Sequence, residues 1–488
     1  MKRKSLDTVP LDYPVGTSER MPILSRMVTM HRHNRQALGL PDCPHKDLED
    51  CAFLIYDSME AATRTFHNID HLVDLVKGAD PIQISAIAFH DIVYYQIDGG
   101  LNDMQREYLH DIITEKDGII AITEEKREST IEMVMDIFGY KYGQVLDPFK
   151  GMNEFLSACI GARVYVALDK KGGCDPNISN SLNAKRTACI EATIPFRGPD
   201  EKGRSPPEAL FDRLKVVNQT YDLGWDEEEL VSEVQRSADL GNRDLENFSW
   251  TDRSAFLSNT WKLLPESNVA LRQNVHYISE LAFAMKKMAG FFAFLNPETI
   301  YYSFRDPEAE AIVQEKTAEA KKNIDTSLTY MRCKYLALSV LSAVAELSGG
   351  DAPISFFMGD RPTTHVRSKS MNLEEFLDME HEPAKGLKFD KDVLKLLCEG
   401  RKLETKFDEK RSPLGANLYA HIGDDGVKES IKYAVHPMDK TNALLLLQSL
   451  PSKLVVTILA ACSELAITRS AEISLILDTF SEGSDDSK

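Results

Sequence analysis

Cysteine is sparse and unclustered in this chain: eight residues, at 43, 51, 159, 174, 189, 333, 398 and 462, with no CxxC pair among them. That spacing offers neither a disulfide framework nor a cysteine zinc clip, and reduced thiols in a cytoplasmic setting are the simplest expectation. Positive charge is also short. The 57 Lys and Arg against 76 Asp and Glu leave a formal net charge of -19. A surface of that sign argues against broad binding to a nucleic-acid polymer or an anionic membrane. A small anionic ligand is not excluded, because a local cation and a few arginines overcome the field. Long apolar runs are missing too. The most apolar stretch, LVVTILAACSELAI at 454–467, contains Glu464 and falls short of a bilayer span, so it reads as a buried helix. The basic start MKRKSLDTVPLDYPVG has no apolar run, so no secretory signal is expected. GxSxG, GxxxxGK(S/T) and a helix-opening GxGxxG are absent, which removes support for serine-nucleophile, ATP-dependent and dinucleotide chemistry.

What is present is helical patterning over a length of 488 residues, more than one core usually serves. Residues 1–40 read as an N-terminal leader, 41–248 as a first helical domain, 249–480 as a second, and 481–488 as a disordered tail. From 46 to 78 apolar groups recur every three or four residues and stop at Gly78. Asp80 followed by Pro81 marks the start of the next helix, expected to run to about Tyr95. Further helices are expected at 102–114, 122–138, 150–168, 180–194 and 226–238. No strand-rich block is visible. The fold class expected is all-α.

The stretch RTFHNIDHLVDLVKGADPIQISAIAFHD at 64–91 holds the chemistry. His67 and His71 are four residues apart, hence on one face if helical. His90 and Asp91 follow on the next expected helix, in an apolar setting. Imidazole and carboxylate together hold a divalent ion such as Mn, Fe or Zn. The same groups also satisfy one another in a metal-free histidine–carboxylate network, and spacing alone leaves the two readings open.

The string R-T-F-H-N-I-D-H resembles the R-x-(Y/F)-H-N-x-x-H segment of HD-superfamily metal-dependent phosphohydrolases, and A-F-H-D-I-V-Y resembles the F-H-D-x-V-Y segment of one branch. The first segment is also similar to the YHNxxH motif of cyclic-nucleotide phosphodiesterases. The resemblance implies that His67 is a general acid and that His71, His90 and Asp91 bind a divalent metal, whether Mn, Fe, Zn or Mg. It implies one further aspartate late in the domain. Asp239 in A-D-L-G-N is the best match, with Asp169 as rival and Asp244 weaker and expected to be solvated. HD-type di-iron oxygenases use two additional histidines before the last aspartate. Only His110 lies in that interval, so hydrolysis is favoured over oxygenation.

The reaction implied is hydrolysis of a phosphoester, nucleotides included, by metal-bound hydroxide, as a phosphomonoesterase or phosphodiesterase. The partner expected is a small anionic phosphorylated substrate. The alternatives are a catalytically silent HD scaffold that binds other proteins and, third, an HD-type oxygenase. Arg64, three residues before His67, suits a substrate phosphate with its planar fork, or else is an exposed arginine on a turn. Asn68 contacts substrate or orients a histidine, or else caps a helix. His110-Asp111 reads as a surface pair, His31 and His33 as an exposed basic turn, and FFAFLNPETIYYSF at 291–304 as helical core rather than a ligand pocket.

Overall fold

The computed structural model describes residues 21–273, 275–359, 371–377 and 383–482. Residues 1–20 of the expected leader, 483–488 of the expected tail, and His365 and His381 lie outside the described residues. Among the described residues the chain is all-α apart from one two-stranded hairpin. Its described residues divide into two compact units, one drawn from 1–247 with 296–318 and the other from 248–295 with 319–488. The second segment of the first unit is not visible in the sequence pattern, because nothing in composition marks a chain that leaves a unit and returns.

The first unit contains α1 (Ile23–Ala37), α2 (His45–Met59), α3 (Ile69–Leu75), α4 (Pro81–Ile87), α5 (Tyr95–Asp98) and α6 (Asp103–Leu109), then β1 (Ile113–Lys116) and β2 (Ile119–Ile122). After these come α7 (Ser129–Phe138), α8 (Met152–Gly172), α9 (Pro176–Ala192), α10 (Pro206–Thr220) and α11 (Glu227–Asp244). Its centre is α8, whose Phe155, Leu156, Cys159 and Ile160 are fully buried. Helix α1 lies within the stretch taken as leader, yet Met27 and Met30 join the same core, and His31 and His33 are buried with them rather than forming an exposed turn. Helix α4 starts as its sequence predicts. Asp80 caps Ile82 and Gln83 through its carboxylate, and the Gln83 side chain returns the bond to the Asp80 amide.

Three local expectations give way. The helix expected over 46–78 breaks at 60–68, where Asn68 starts a new helix by accepting from the amides of Asp70 and His71. The chain after α4 passes into turns at 88–94 instead of continuing as helix. Between α6 and α7 the chain forms a hairpin, β1 pairing antiparallel with β2 around Asp117-Gly118. Both turn residues have positive φ, 53° and 75°, the backbone that a two-residue hairpin loop needs and that Asp-Gly favours.

The second unit is built from α12 (Arg253–Trp261), α13 (Leu263–Ser267), α14 (Ile278–Phe294), the larger part of α15 (Pro307–Leu347), α16 (Ser355–Met358), α17 (Lys391–Glu399) and α18 (Pro413–Ser430). It ends with α19 (Lys440–Gln448), α20 (Ser452–Leu465) and α21 (Ser470–Glu482). Helix α20 takes in the apolar run as far as Leu465, and Val455, Ile458, Leu459 and Cys462 are its buried face. Among the described residues no single helix is long and apolar enough to cross a membrane. Of the segment 291–304, Phe292, Tyr301 and Phe304 are buried, whereas Phe294 is exposed.

A candidate metal centre

Four groups far apart in sequence converge in the first unit. His71 Nε2 lies 3.0 Å from Asp244 Oδ1 and 3.8 Å from Asp91 Oδ2. His90 Nε2 lies 3.1 Å from Asp91 Oδ2 and 3.6 Å from Asp244 Oδ1. One ligand atom each from His71, His90 and Asp244 fits within a sphere of mutual separations no larger than 4.8 Å. Ligand bonds near 2.0–2.2 Å allow one cation to bridge atoms at that spacing, roughly as in zinc sites.

Each member is held by its local structure. His71 sits in the first turn of α3, fixed by the Asn68 cap. His90 follows α4, and its Nδ1 lies 2.9 Å from the Ile87 carbonyl oxygen. A carbonyl only accepts, so Nδ1 carries a proton and the Nε2 edge of the ring faces the cluster. Phe89 anchors the same turn, fully buried and edge-on to Tyr165 at 5.1 Å. The chain beyond is pinned by α8: the Val93 amide donates to Ser157 Oγ and the Tyr95 amide to Asn153 Oδ1. Asp244 is the last residue of α11.

The donors fit a divalent cation by an observation of their own geometry. His90 Nε2 and Asp91 Oδ2 are buried and make no hydrogen bond, although they lie 3.1 Å apart. Buried polar atoms at a poorly bonded contact leave part of their desolvation uncompensated, which a cation held by these residues would offset. The carboxylates and imidazoles of the cluster set one another's charge. Burial opposes charge on His90, but Asp91 and Asp244 outweigh it and hold the imidazole well above its ordinary pKa. Burial likewise opposes charge on the two carboxyls. The neighbouring imidazoles win, with Asp91 far below its ordinary range and Asp244 lowered to about 2.

His67 stands beside this cluster, in the turn before α3 rather than on its face. Its ring is 6.0 Å from that of His71 and packs edge-on to Tyr94 at 4.6 Å, and its charge is felt by Asp91.

The expected positions of three residues need correction. Asp239 is not in the cluster. Its carboxylate, 59% exposed, accepts from Gln83 Nε2 at 2.8 Å and Arg243 Nε at 3.0 Å. Helix α11 continues past Asp239 and Gly241, and five further residues turn the helix by about 140°, so Asp244 faces the histidines instead. Asp169 is elsewhere, fully buried against Arg35 at 2.6 Å and Ser179 at 2.9 Å. Arg64 is neither exposed nor free for substrate. Its Nε and Nη2 grip the Asp98 carboxylate, and Nη1 and Nη2 reach the carbonyls of His67, Asp91 and Ile92 at 3.4, 2.5 and 3.2 Å. It staples the His67 turn to the His90-Asp91 turn. The Asn68 side chain is engaged as the cap of α3. His110 is exposed and Asp111 pairs with Arg163, as expected of a surface pair.

Glu154, in the first turn of α8, carries no sequence motif and was not anticipated. Burial, opposed by its own backbone amide, together with the charges of Asp91 and Asp244, pushes its carboxyl up to about 7, while Arg197 pulls the other way. Compared with family models, with curated proteins and with solved structures, the chain matches none.

Proposed function

We propose that this protein is a metal-dependent phosphohydrolase of HD type, acting on a small phosphorylated substrate. The observation that carries the reading is the meeting of His71, His90 and Asp244, with Asp91 paired to both histidines and two buried polar atoms left without hydrogen bonds. A divalent cation held there would supply Lewis acidity and lower the pKa of a water molecule. The chain's own residues do the rest. His67, beside the cluster and outside it, protonates the departing oxygen. Arg64 fixes the carbonyls of His67 and Asp91, so acid and ligands keep their spacing. The resemblance of RTFHNIDH and AFHDIVY to HD-superfamily segments supports the same roles.

Metal analysis on protein purified without chelator, joined to a panel of nucleotides and simple phosphoesters with added Mn, tests the proposal. About one Mn, Fe or Zn per chain and turnover of at least one phosphoester are expected. Metal-free protein that stays inactive with added Mn would return the cluster to a histidine–carboxylate network in a non-enzymatic scaffold. Two irons per chain would favour the oxygenase.

A further inference from the structure

The first unit also contains a cleft of about 440 Å³, open mouth included, walled by the ends of α9 and α11, the start of α10 and residues 299–302. Most of the wall is apolar, including Ile194, Leu210, Leu245 and Ile300. Asn242 is spent on the backbone of Tyr302, donating to its carbonyl and accepting from its amide. The charged exception is Arg197 with Glu191.

Glu191 is 1% exposed and receives two guanidinium groups. Arg197 donates to both of its carboxylate oxygens, and Arg213 shares Oε1 at 2.6 Å. Two cations therefore share one buried anion, and a positive charge is left over in a chain whose formal net charge is -19. Hydrogen-bond supply is in excess as well. A guanidinium has five N–H groups. Arg197 uses four, on Ile194 O, Glu191 O and the two Glu191 oxygens. Arg213 uses two, on Ile137 O and Glu191 Oε1. Both side chains remain about one quarter exposed, at 27% and 25%. The remaining N–H groups make no hydrogen bond among the described residues; Arg197 lines the cleft, and Arg213 stands beside it on the shared Glu191 oxygen.

Glu154 links this cluster electrostatically to the metal centre. Ile194 packs against Gly151, where an added Cβ would lie 2.4 Å from Ile194 Cδ1. One turn on, Glu154 lies within electrostatic reach of Arg197 on one side and of Asp91 and Asp244 on the other.

We propose that Arg197 and Arg213 form an anion subsite that binds a second phosphoryl group of the substrate, remote from the bond that is cut. Donors spread over two guanidiniums suit a tetrahedral oxyanion with three terminal oxygens better than a flat carboxylate with two. The substrate assignment rests on the hydrolase reading above; the subsite itself does not.

Titration calorimetry with inorganic phosphate on full-length, chelator-treated protein tests it, because without metal the carboxylates of the metal centre repel phosphate. One phosphate per chain is expected, with acetate at least tenfold weaker. Arg213→Gln, which still donates to Glu191, should weaken phosphate tenfold or more, and Arg197→Lys several-fold, with unchanged circular dichroism. His90→Ala should bind phosphate as the parent does. No phosphate binding to the metal-free parent, or acetate binding as tight as phosphate, overturns the subsite whether or not the variants fold. Equal phosphate affinity in parent and both arginine variants overturns it as well. Metal content before chelation is read on the same preparation, so a failed metal centre is recognised separately.

Discussion

Asp239 and Asp244 share one helix, but only Asp244 touches the histidines, and their substitution separates the two assignments most sharply. Asp244→Ala, like His90→Ala or Asp91→Ala, should strip the metal, whereas Asp239→Ala should keep it; elemental analysis of each variant decides. His67→Ala should retain the metal and lose turnover by roughly 10²–10⁴-fold, the usual contribution of a general acid. That loss should shrink for a p-nitrophenyl ester, whose leaving group hardly needs a proton, and an equal loss for good and poor leaving groups would remove the acid role. Glu154 makes a prediction about pH. Its folded pKa of about 7 lies above the ordinary 4.5. The folded state therefore holds the proton more tightly, and the associated stability is complete below the unfolded pKa and lost as pH rises through the folded one. In chelated protein, Glu154→Gln should match the parent in urea denaturation at pH 4.5 and exceed it at pH 8, by on the order of 1–3 kcal/mol.

At the level of elements, Gly241 explains how α11 reaches Asp244. A Cβ there would lie 2.5 Å from the Ala192 carbonyl oxygen, so α9 and α11 approach only because the position has no side chain. Gly241→Ala should cost about 1–3 kcal/mol by overpacking against backbone and weaken metal binding three residues downstream. Gly290→Ala, in the exposed face of α14 with nothing within 4 Å of the added carbon, should instead stabilise by about 0.5–1 kcal/mol. Chemical denaturation of both checks the pair. The same glycine shows why the last member of the cluster was hard to read. A glycine after A-D-L suggests a helix end, so Asp239 looked terminal, while the close approach that requires the glycine is a tertiary fact. The break at 60–68 was hidden for a related reason. Ala61, Ala62 and Phe66 continue the apolar spacing, and the Arg64–Asp98 staple that holds the turn joins residues 34 apart. The start of α4 was legible because Asp80, Pro81 and Gln83 are all local. So was the gathering of His71, His90 and Asp91, whose separations are short. The Asp-Gly hairpin was missed, although Asp117-Gly118 is a turn signal, because its strands are only four residues each and the surrounding pattern is helical.

Across the whole molecule, every group of the cluster belongs to the first unit, and the second has its own buried charge. Lys334 donates to both oxygens of Asp408, which also accepts from Arg401 and from the Trp261 indole, while the Arg401 guanidinium lies 3.9 Å from that ring. Lys334→Met leaves Asp408 with less compensation and should cost about 3–5 kcal/mol, the range for breaking a buried pair. The loss should appear in the melting of the second unit with metal content per chain unchanged; depleted metal would show that the centre depends on more than the first unit. A last consequence follows from chain order. His71 and Asp244 are 173 residues apart, and ribosomes add about 5–20 residues each second. A nascent chain thus carries His71 for roughly 10–35 s before Asp244 is even polymerised. Throughout that interval the nursery form of the protein has an unfinished grip, and a message truncated upstream of codon 244 can never complete it.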